Sequence, residues 1–357
     1  MTAAKAMAVR LVVRWETLLV VAIVAAGIWS TTLSPFFLRR ANLLDLLTPY
    51  IFIGLMAFGL TFVVVAGEID ISIVSNMAVS VVCFAQLFDA GVNVWVAALI
   101  GLAVATVLGL VNGALVSLLD LPSLAITLGT LAAYGGLAYV ILSGEGVASF
   151  PSGYTKIGGG YIAGNQLPIA LLIAVAIAVV LGLVLHGTRF GRYVFTIGSN
   201  REAARFSGIP VARVRMSVFG ISGLMAGLAG VAYVGYFGSA RADAGTGSLL
   251  DVVTAVVLGG VDIFGGAGSM LGVFLALVLV AELRNGMQLA NIQGDTQDIV
   301  IGGLLLAAIV AGNLIRAAHA GRIRLGPLRL TRREVIAHHA TEAVKTSKLA
   351  PQNLKGR

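Results

Sequence analysis

Asp70 and Asp262 are the residues of this sequence most able to do chemistry, because each is an ionisable carboxylate set in an otherwise apolar stretch. At membrane depth such a group costs several kcal/mol unless it meets a cavity, a counter-charge or backbone donors. Either aspartate can line a solute route, or it can cap a following helix by accepting free N–H groups at the positive end of the dipole. Both readings stand at this point. Ser72, Asn76, Asn112, Thr127, Thr130 and Asn285 add neutral polar groups to apolar segments. They suit hydrogen bonding to a hydroxylated solute in a water-filled path, or bonds between packed helices.

Other chemistries lack their residues. No Gly-Lys dipeptide occurs, so a phosphate-cradling G-x-x-x-x-G-K-[ST] loop is absent and the chain cannot hydrolyse ATP by that route. Neither H-E-x-x-H nor C-x-x-C is present, and three of the four histidines (His319, His338, His339) fall near the C-terminal end. Enzymatic activity, a metal site and a bound cofactor are therefore not expected. The lone cysteine, Cys83, excludes an intramolecular disulfide and reads as packing.

The elements that must hold these residues are membrane helices. With 58% hydrophobic and 11% charged residues and a mean hydropathy of +0.98, the chain has too little polar surface to cover a soluble domain. Apolar runs long enough to cross about 30 Å of hydrocarbon are predicted near 17–34, 43–66, 71–89, 93–118, 122–142, 168–186, 214–238, 251–263, 268–288 and 297–315. The fold class is an all-α, polytopic bundle of about ten such helices. The third and eighth are the interrupted ones, since Gly67–Ser72 and Gly259–Gly268 bring glycine and carboxylates to a helix end, as in broken or re-entrant segments.

Charge fixes the expected orientation. Nineteen of the 24 Lys and Arg fall in three places: three in the N-terminal tail, six between Arg189 and Arg215, and ten from Arg316 onward. Cytoplasmic loops carry such an excess, so both termini are expected in the cytoplasm, with the pair Arg39–Arg40 on the opposite side. The organisation is then a cytoplasmic tail over 1–16 without a cleavable leader, a membrane domain over 17–315, and a basic cytoplasmic tail over 316–357. That last tail carries a net +8 and suits anionic lipid headgroups. It lacks the folded module that nucleic-acid binding needs.

Two polar segments and one repeat remain. Ser143–Gln166 is a Gly-, Ser- and Tyr-rich external loop that could touch a partner or cover the pathway. Within His186–Arg215, Glu202-Ala203-Ala204-Arg205-Phe206-Ser207-Gly208 forms helix readily and ends in a glycine suited to the left-handed conformation. Val64–Ile71 matches Val256–Ile263 at an offset of 192 residues, and Leu110–Gly113 matches Leu283–Gly286. Paired half-repeats with interrupted helices frame the pathway in many transporters. Gly101, Gly109 and Gly113, spaced along one helix, favour close packing within a bundle or dimer.

The E-A-A-x-x-x-G spacing of Glu202, Ala203, Ala204 and Gly208 resembles the cytoplasmic loop by which permeases of ATP-binding-cassette importers dock on their ATPases. Gly191-Arg192-Tyr193, Ile197–Asn200, Gly67–Ser72, Asn112-Gly113, Pro122-Ser123, Thr127–Thr130 and Gly259–Ser269 resemble signature stretches of the ribose-type, simple-sugar permease family. The likeness runs from about residue 15 to residue 315. Where the family usually follows D-[LI]-S with glycine two residues on, this chain has Val74, Ser75 and Asn76. Rhamnose-type and autoinducer-type members vary there, which favours a deoxysugar or related small polyol over ribose.

The resemblance implies an inner-membrane permease that pairs with a second copy or a paralogue. It also implies two cytoplasmic ATPases, which hold the ATP and Mg, and an external solute-binding protein. Its implied site residues are Glu202, Ala203, Ala204 and Gly208 for coupling; Asp70, Ser72, Asn76, Asn112, Thr127, Asp262 and Asn285 are the candidates for the pathway. The alternative is an ion-coupled secondary transporter that uses Asp70, Asp262, Asp295 or Asp298.

Overall fold

A computed structural model describes residues 15–143, 146–162 and 167–319. Most of the two expected tails, and residues 144–145 and 163–166 near the two ends of the Ser143–Gln166 loop, lie outside the described residues. The chain runs through α1 (Trp15–Leu33), α2 (Arg40–Asp45), a 3-10 turn (Thr48–Tyr50), α3 (Ile51–Val65), α4 (Ile73–Asp89), α5 (Val94–Leu118) and α6 (Ser123–Leu142). It continues through β1 (Val147–Ala148), α7 (Ser152–Gly159), β2 (Tyr161–Ile162), β3 (Leu167–Pro168), α8 (Ile169–Gly187), α9 (Arg189–Ser199) and α10 (Arg201–Phe206). It ends with α11 (Val211–Phe237), β4 (Ser239–Ala240), α12 (Leu249–Leu258), α13 (Met270–Leu289) and α14 (Gly294–His319).

Eight helical spans are long and apolar enough to cross a membrane, and two apolar helices are shorter: Ile73–Asp89 and Leu249–Leu258. These two are the third and eighth runs, where the sequence places its interruptions. At 1.5 Å per residue the ten residues of α12 rise about 15 Å, half of a bilayer core of about 30 Å. Small antiparallel bridges tie the loops at the end of the bundle away from the breaks: Val147 pairs with Ala240, and Tyr161 with Pro168.

Burial orders the bundle. Every residue of α3 is buried, whereas α1, α6, α8 and α14 leave most of their apolar surface open, as lipid- or partner-facing helices do. Helix α11 packs along α5, α3 and α4, and α13 against α1. The glycine seam of α5 finds its partner within the chain: a side chain at Gly109 would meet the Gly223 Cα at 2.8 Å, and one at Gly113 the Met216 Cα at 2.9 Å, both on α11. Such contacts let two backbones approach closely, the usual use of small residues between membrane helices.

The two breaks are built alike. After α3, Gly67 sits at φ +77° while its N–H bonds Val64 O and that of Glu68 bonds Val63 O. After α12, Gly260 sits at φ +82° with bonds from Gly260 N to Val257 O and Val261 N to Val256 O. Both are glycine-closed helix ends that satisfy orphan carbonyls. Matched by hydrogen bonding, Gly67 aligns with Gly260, so the backbone repeat runs one residue out of step with the sequence repeat at this point. The second repeat pair diverges, since Asn112 lies in the core of α5 and Asn285 near the far end of α13.

Candidate functional site

The two breaks meet each other and the α9–α10 region. Gly266 N donates to Val65 O at 2.8 Å, joining the second break to the end of α3. Gly198, in the last turn of α9, packs so closely that a Cβ there would collide with Val65 O and Gly266 N. A Cβ on Gly265 would come within 2.6 Å of the Gly67 Cα and 3.1 Å of the Gly198 Cα. Only residues without side chains allow three backbone segments to touch in this way.

The α10 helix follows directly. Asn200, in an extended conformation, accepts the Ala203 N–H at 2.9 Å and so caps it; Glu202 lies in its first turn and Arg205 in its last. Ala204 is buried, Phe206 is 92% exposed, and Gly208 ends the turn at φ +77°. The segment Glu202–Gly208 is therefore a short helix with a glycine stop on the same end of the bundle as both breaks.

Asp70 is 2% exposed. Its Oδ1 accepts from Ser72 N (3.0 Å) and Ser72 Oγ (2.6 Å), and its Oδ2 accepts from Ser222 Oγ (2.7 Å) on α11. Asn112 donates to Ser72 Oγ at 2.9 Å and accepts from Tyr134 Oη at 3.1 Å. Thr127 Oγ1 donates to Ile69 O at 3.1 Å, and Ser123 Oγ accepts the Ile69 N–H at 3.1 Å, so α6 clasps the first break from the other side. Asp70, Ser72, Asn112 and Thr127 thus share one buried network with Ser222, Tyr134 and Ser123.

The remaining candidates lie elsewhere. Asn76, one turn further along α4, donates to Ala105 O at 3.0 Å, and its Oδ1 has no hydrogen-bond partner among the described residues. Thr130 donates to Ile126 O within α6. Asp262 closes the second break by accepting the Phe264 N–H at 3.0 Å. Asn285 exchanges two 2.9 Å bonds with Asn42 at the other end of the bundle. Asp70 does not cap the helix that follows it, since it accepts from Ser72, which precedes α4, and from Ser222 on α11; α13 takes its cap from Ser269, whose Oγ accepts the Gly272 N–H.

A further set of charges is not legible in the sequence pattern. Arg215, which falls in the basic Arg189–Arg215 stretch and at the edge of the 214–238 span, is folded into α11 at 2% exposure. Its Nε donates to Glu68 Oε1 at 2.5 Å and its Nη1 to Asp120 Oδ1 at 3.2 Å. Asp120, at φ +52° in the α5–α6 turn, also pairs with Arg201, the first residue of α10. The Arg201 guanidinium, with Arg215 behind it, holds the Asp120 carboxyl below the usual carboxylate range. These four residues line an open pocket of about 520 Å³ together with Ser123, Gly198, Asn200 and Phe264. Glu68 lies inside the Gly67–Ser72 motif, but nothing in the local sequence pairs it with an arginine 147 positions on.

Residues 42–309 match the family described as branched-chain amino acid transport system / permease component. The chain is 36% identical over 297 residues to the autoinducer 2 import system permease protein LsrD of Yersinia enterocolitica, covering 80% of this chain and 89% of that one. It is 37% identical over 307 residues to the proteins of the same name from Escherichia coli strain K12 and Shigella flexneri, covering 83% of this chain and 91% of each. No solved structure matches. The chain belongs to this permease family and is a multi-pass membrane subunit of an importer of the ATP-binding-cassette type. The ion-coupled alternative is not favoured by that membership.

Proposed function

We propose that the chain forms half of the membrane pathway of an importer for a small, hydroxylated, sugar-like solute of the autoinducer 2 kind. The other half is a second copy or a paralogous permease. An external binding protein delivers the solute, and two cytoplasmic ATPases, which hold the ATP and Mg, drive the cycle. Both termini and the α9–α10 segment face the cytoplasm, in keeping with the distribution of Lys and Arg.

The observation that carries this reading is the meeting of α9–α10 with both helix breaks at one backbone joint. A partner that grips Glu202–Gly208 and shifts α10 displaces Gly198, and with it the ends of α3 and α12. The buried Asp70 network lies directly behind the first of these. Motion at the docking helix then reaches the polar core, and alternating access follows as a shift between two packed arrangements. The polar residues Asp70, Ser72, Asn76, Asn112, Thr127 and Asp262 lie beside the break loops, where such a rearrangement would present them to a passing solute; Asn285 would serve at the far end.

Co-purification tests it. The tagged chain, expressed with its partner permease and ATPase and extracted in mild detergent, is expected to retain a P-loop ATPase, and Glu202→Arg is expected to lose it while still inserting into the membrane. Retention of the ATPase by that variant would show that α10 is not the docking element.

A further inference from the structure

We propose that Asp120 is the coupling residue through which α10 signals to the first helix break, by a four-charge chain that runs Arg201, Asp120, Arg215, Glu68. The proposal rests on the docking role given to α10 above, and it names the route by which that docking acts on the membrane core.

Three features carry it. The chain crosses four separate parts of the fold: α10, the α5–α6 turn, α11 and the break after α3. Its two ends differ in burial. Arg215 and Glu68 have side chains 2% and 8% exposed and form a fixed pair, whereas Asp120 and Arg201 are 65% and 37% exposed and border the open pocket. Asp120 is shared, with a single oxygen, Oδ1, accepting from both arginines. Its left-handed backbone, which aspartate tolerates better than most residues, holds the carboxylate between them.

The consequence is a competition. With α10 seated, Arg201 draws Asp120 outward; when the ATPase shifts α10, Arg201 withdraws and Asp120 turns wholly to Arg215. Arg215 then divides its donors differently between Asp120 and Glu68. Glu68 is two residues from Asp70, whose carboxylate ties the start of α4 to Ser222 on α11. A change at Arg201 thus arrives at the buried network without any large movement of α11. An exposed ion pair of this kind contributes little to stability, so its place between a docking helix and a buried pair marks it for signalling.

The test uses the full complex in nanodiscs, with Cys83→Ser and a reporter, Ser199→Cys, at an exposed position on the pocket wall. The rate at which a membrane-impermeant maleimide labels Cys at 199 is measured with and without trapping by Mg-ATP and orthovanadate. Trapping is expected to change the rate severalfold when Asp120 is present. In Asp120→Asn the change is expected to vanish while the ATPase still co-purifies and still hydrolyses ATP. Arg201→Gln is expected to abolish the change as well, with the double variant no worse than either single one, because residues acting through one contact are not additive.

An unaltered trapping response in Asp120→Asn would overturn the proposal, as would a reporter that never responds. Loss of the ATPase from Asp120→Asn would overturn it too, reducing the chain to a clamp on the docking surface. If the unsubstituted complex fails to retain an ATPase, the docking role itself falls, and that result is distinct from all of these.

Discussion

Two buried arginines stand at opposite ends of the bundle, and each is placed between a buried and an exposed carboxylate. Arg284 on α13 bonds Asp251 on α12 at 3.0 and 2.6 Å and Asp298 on α14 at 2.8 Å. Arg215 on α11 bonds Glu68 and Asp120. In both, the buried carboxylate belongs to one of the two interrupted segments. The difference lies in the surroundings. Around Arg284 the neighbouring polar groups close on themselves: Asn42 and Asn285 exchange amide bonds, and Gln288 donates to Tyr50 Oη at 3.2 Å. Around Arg215 the exposed carboxylate is shared with Arg201 on a short helix that projects from the bundle, beside an open pocket. On the coupling proposed above, one end serves as an anchor and the other as a movable joint, although the charge pattern is nearly the same.

The largest effect is expected at the anchor. Arg284→Met leaves Asp251 buried without its counter-charge, a loss of roughly 3–5 kcal/mol, read as a steep fall in the thermal unfolding midpoint of the purified permease. Arg215→Met strands Glu68 in the same way, but Glu68 lines the pocket, where water can replace the lost donor; a smaller loss of about 1–3 kcal/mol is expected. Equal losses at the two sites would erase the distinction between anchor and joint. Asn285→Ala leaves the Asn42 Oδ1 without its donor, while Asn42 Nδ2 keeps its bond to Phe37 O; it is expected to cost about 1 kcal/mol, with the ATP-dependent change at the pocket intact. Loss of that change would place the anchor inside the coupling route and break the comparison.

Much of this architecture is written locally in the chain. Span lengths follow from apolar run lengths, and the short α4 and α12 follow from glycine and carboxylate at Gly67–Ser72 and Gly259–Gly268. The α10 helix follows from Asn200, Glu202 and Gly208, which cap and end it. The pairings that matter for coupling are not local. Arg215 looks like one more loop charge until α11 is known to begin at Val211 and to bury it, and the choice of Glu68 as its partner depends on helix packing. The pairing of Asn285 with Asn42, 243 positions away, depends on helix packing in the same way. The shared oxygen of Asp120 depends on a backbone angle in the α5–α6 turn that its sequence does not announce.

This permease is expected to move solute only when an ATPase acts on α10. Reconstitution in liposomes checks this by uptake of autoinducer 2, with ribose as a second solute, in the presence and absence of the partner permease, ATPase, binding protein and ATP. Uptake that requires ATP and the ATPase, and that disappears with Glu202→Arg, is the predicted result. Uptake by the chain alone, driven by an imposed proton or sodium gradient and indifferent to ATP, would contradict it.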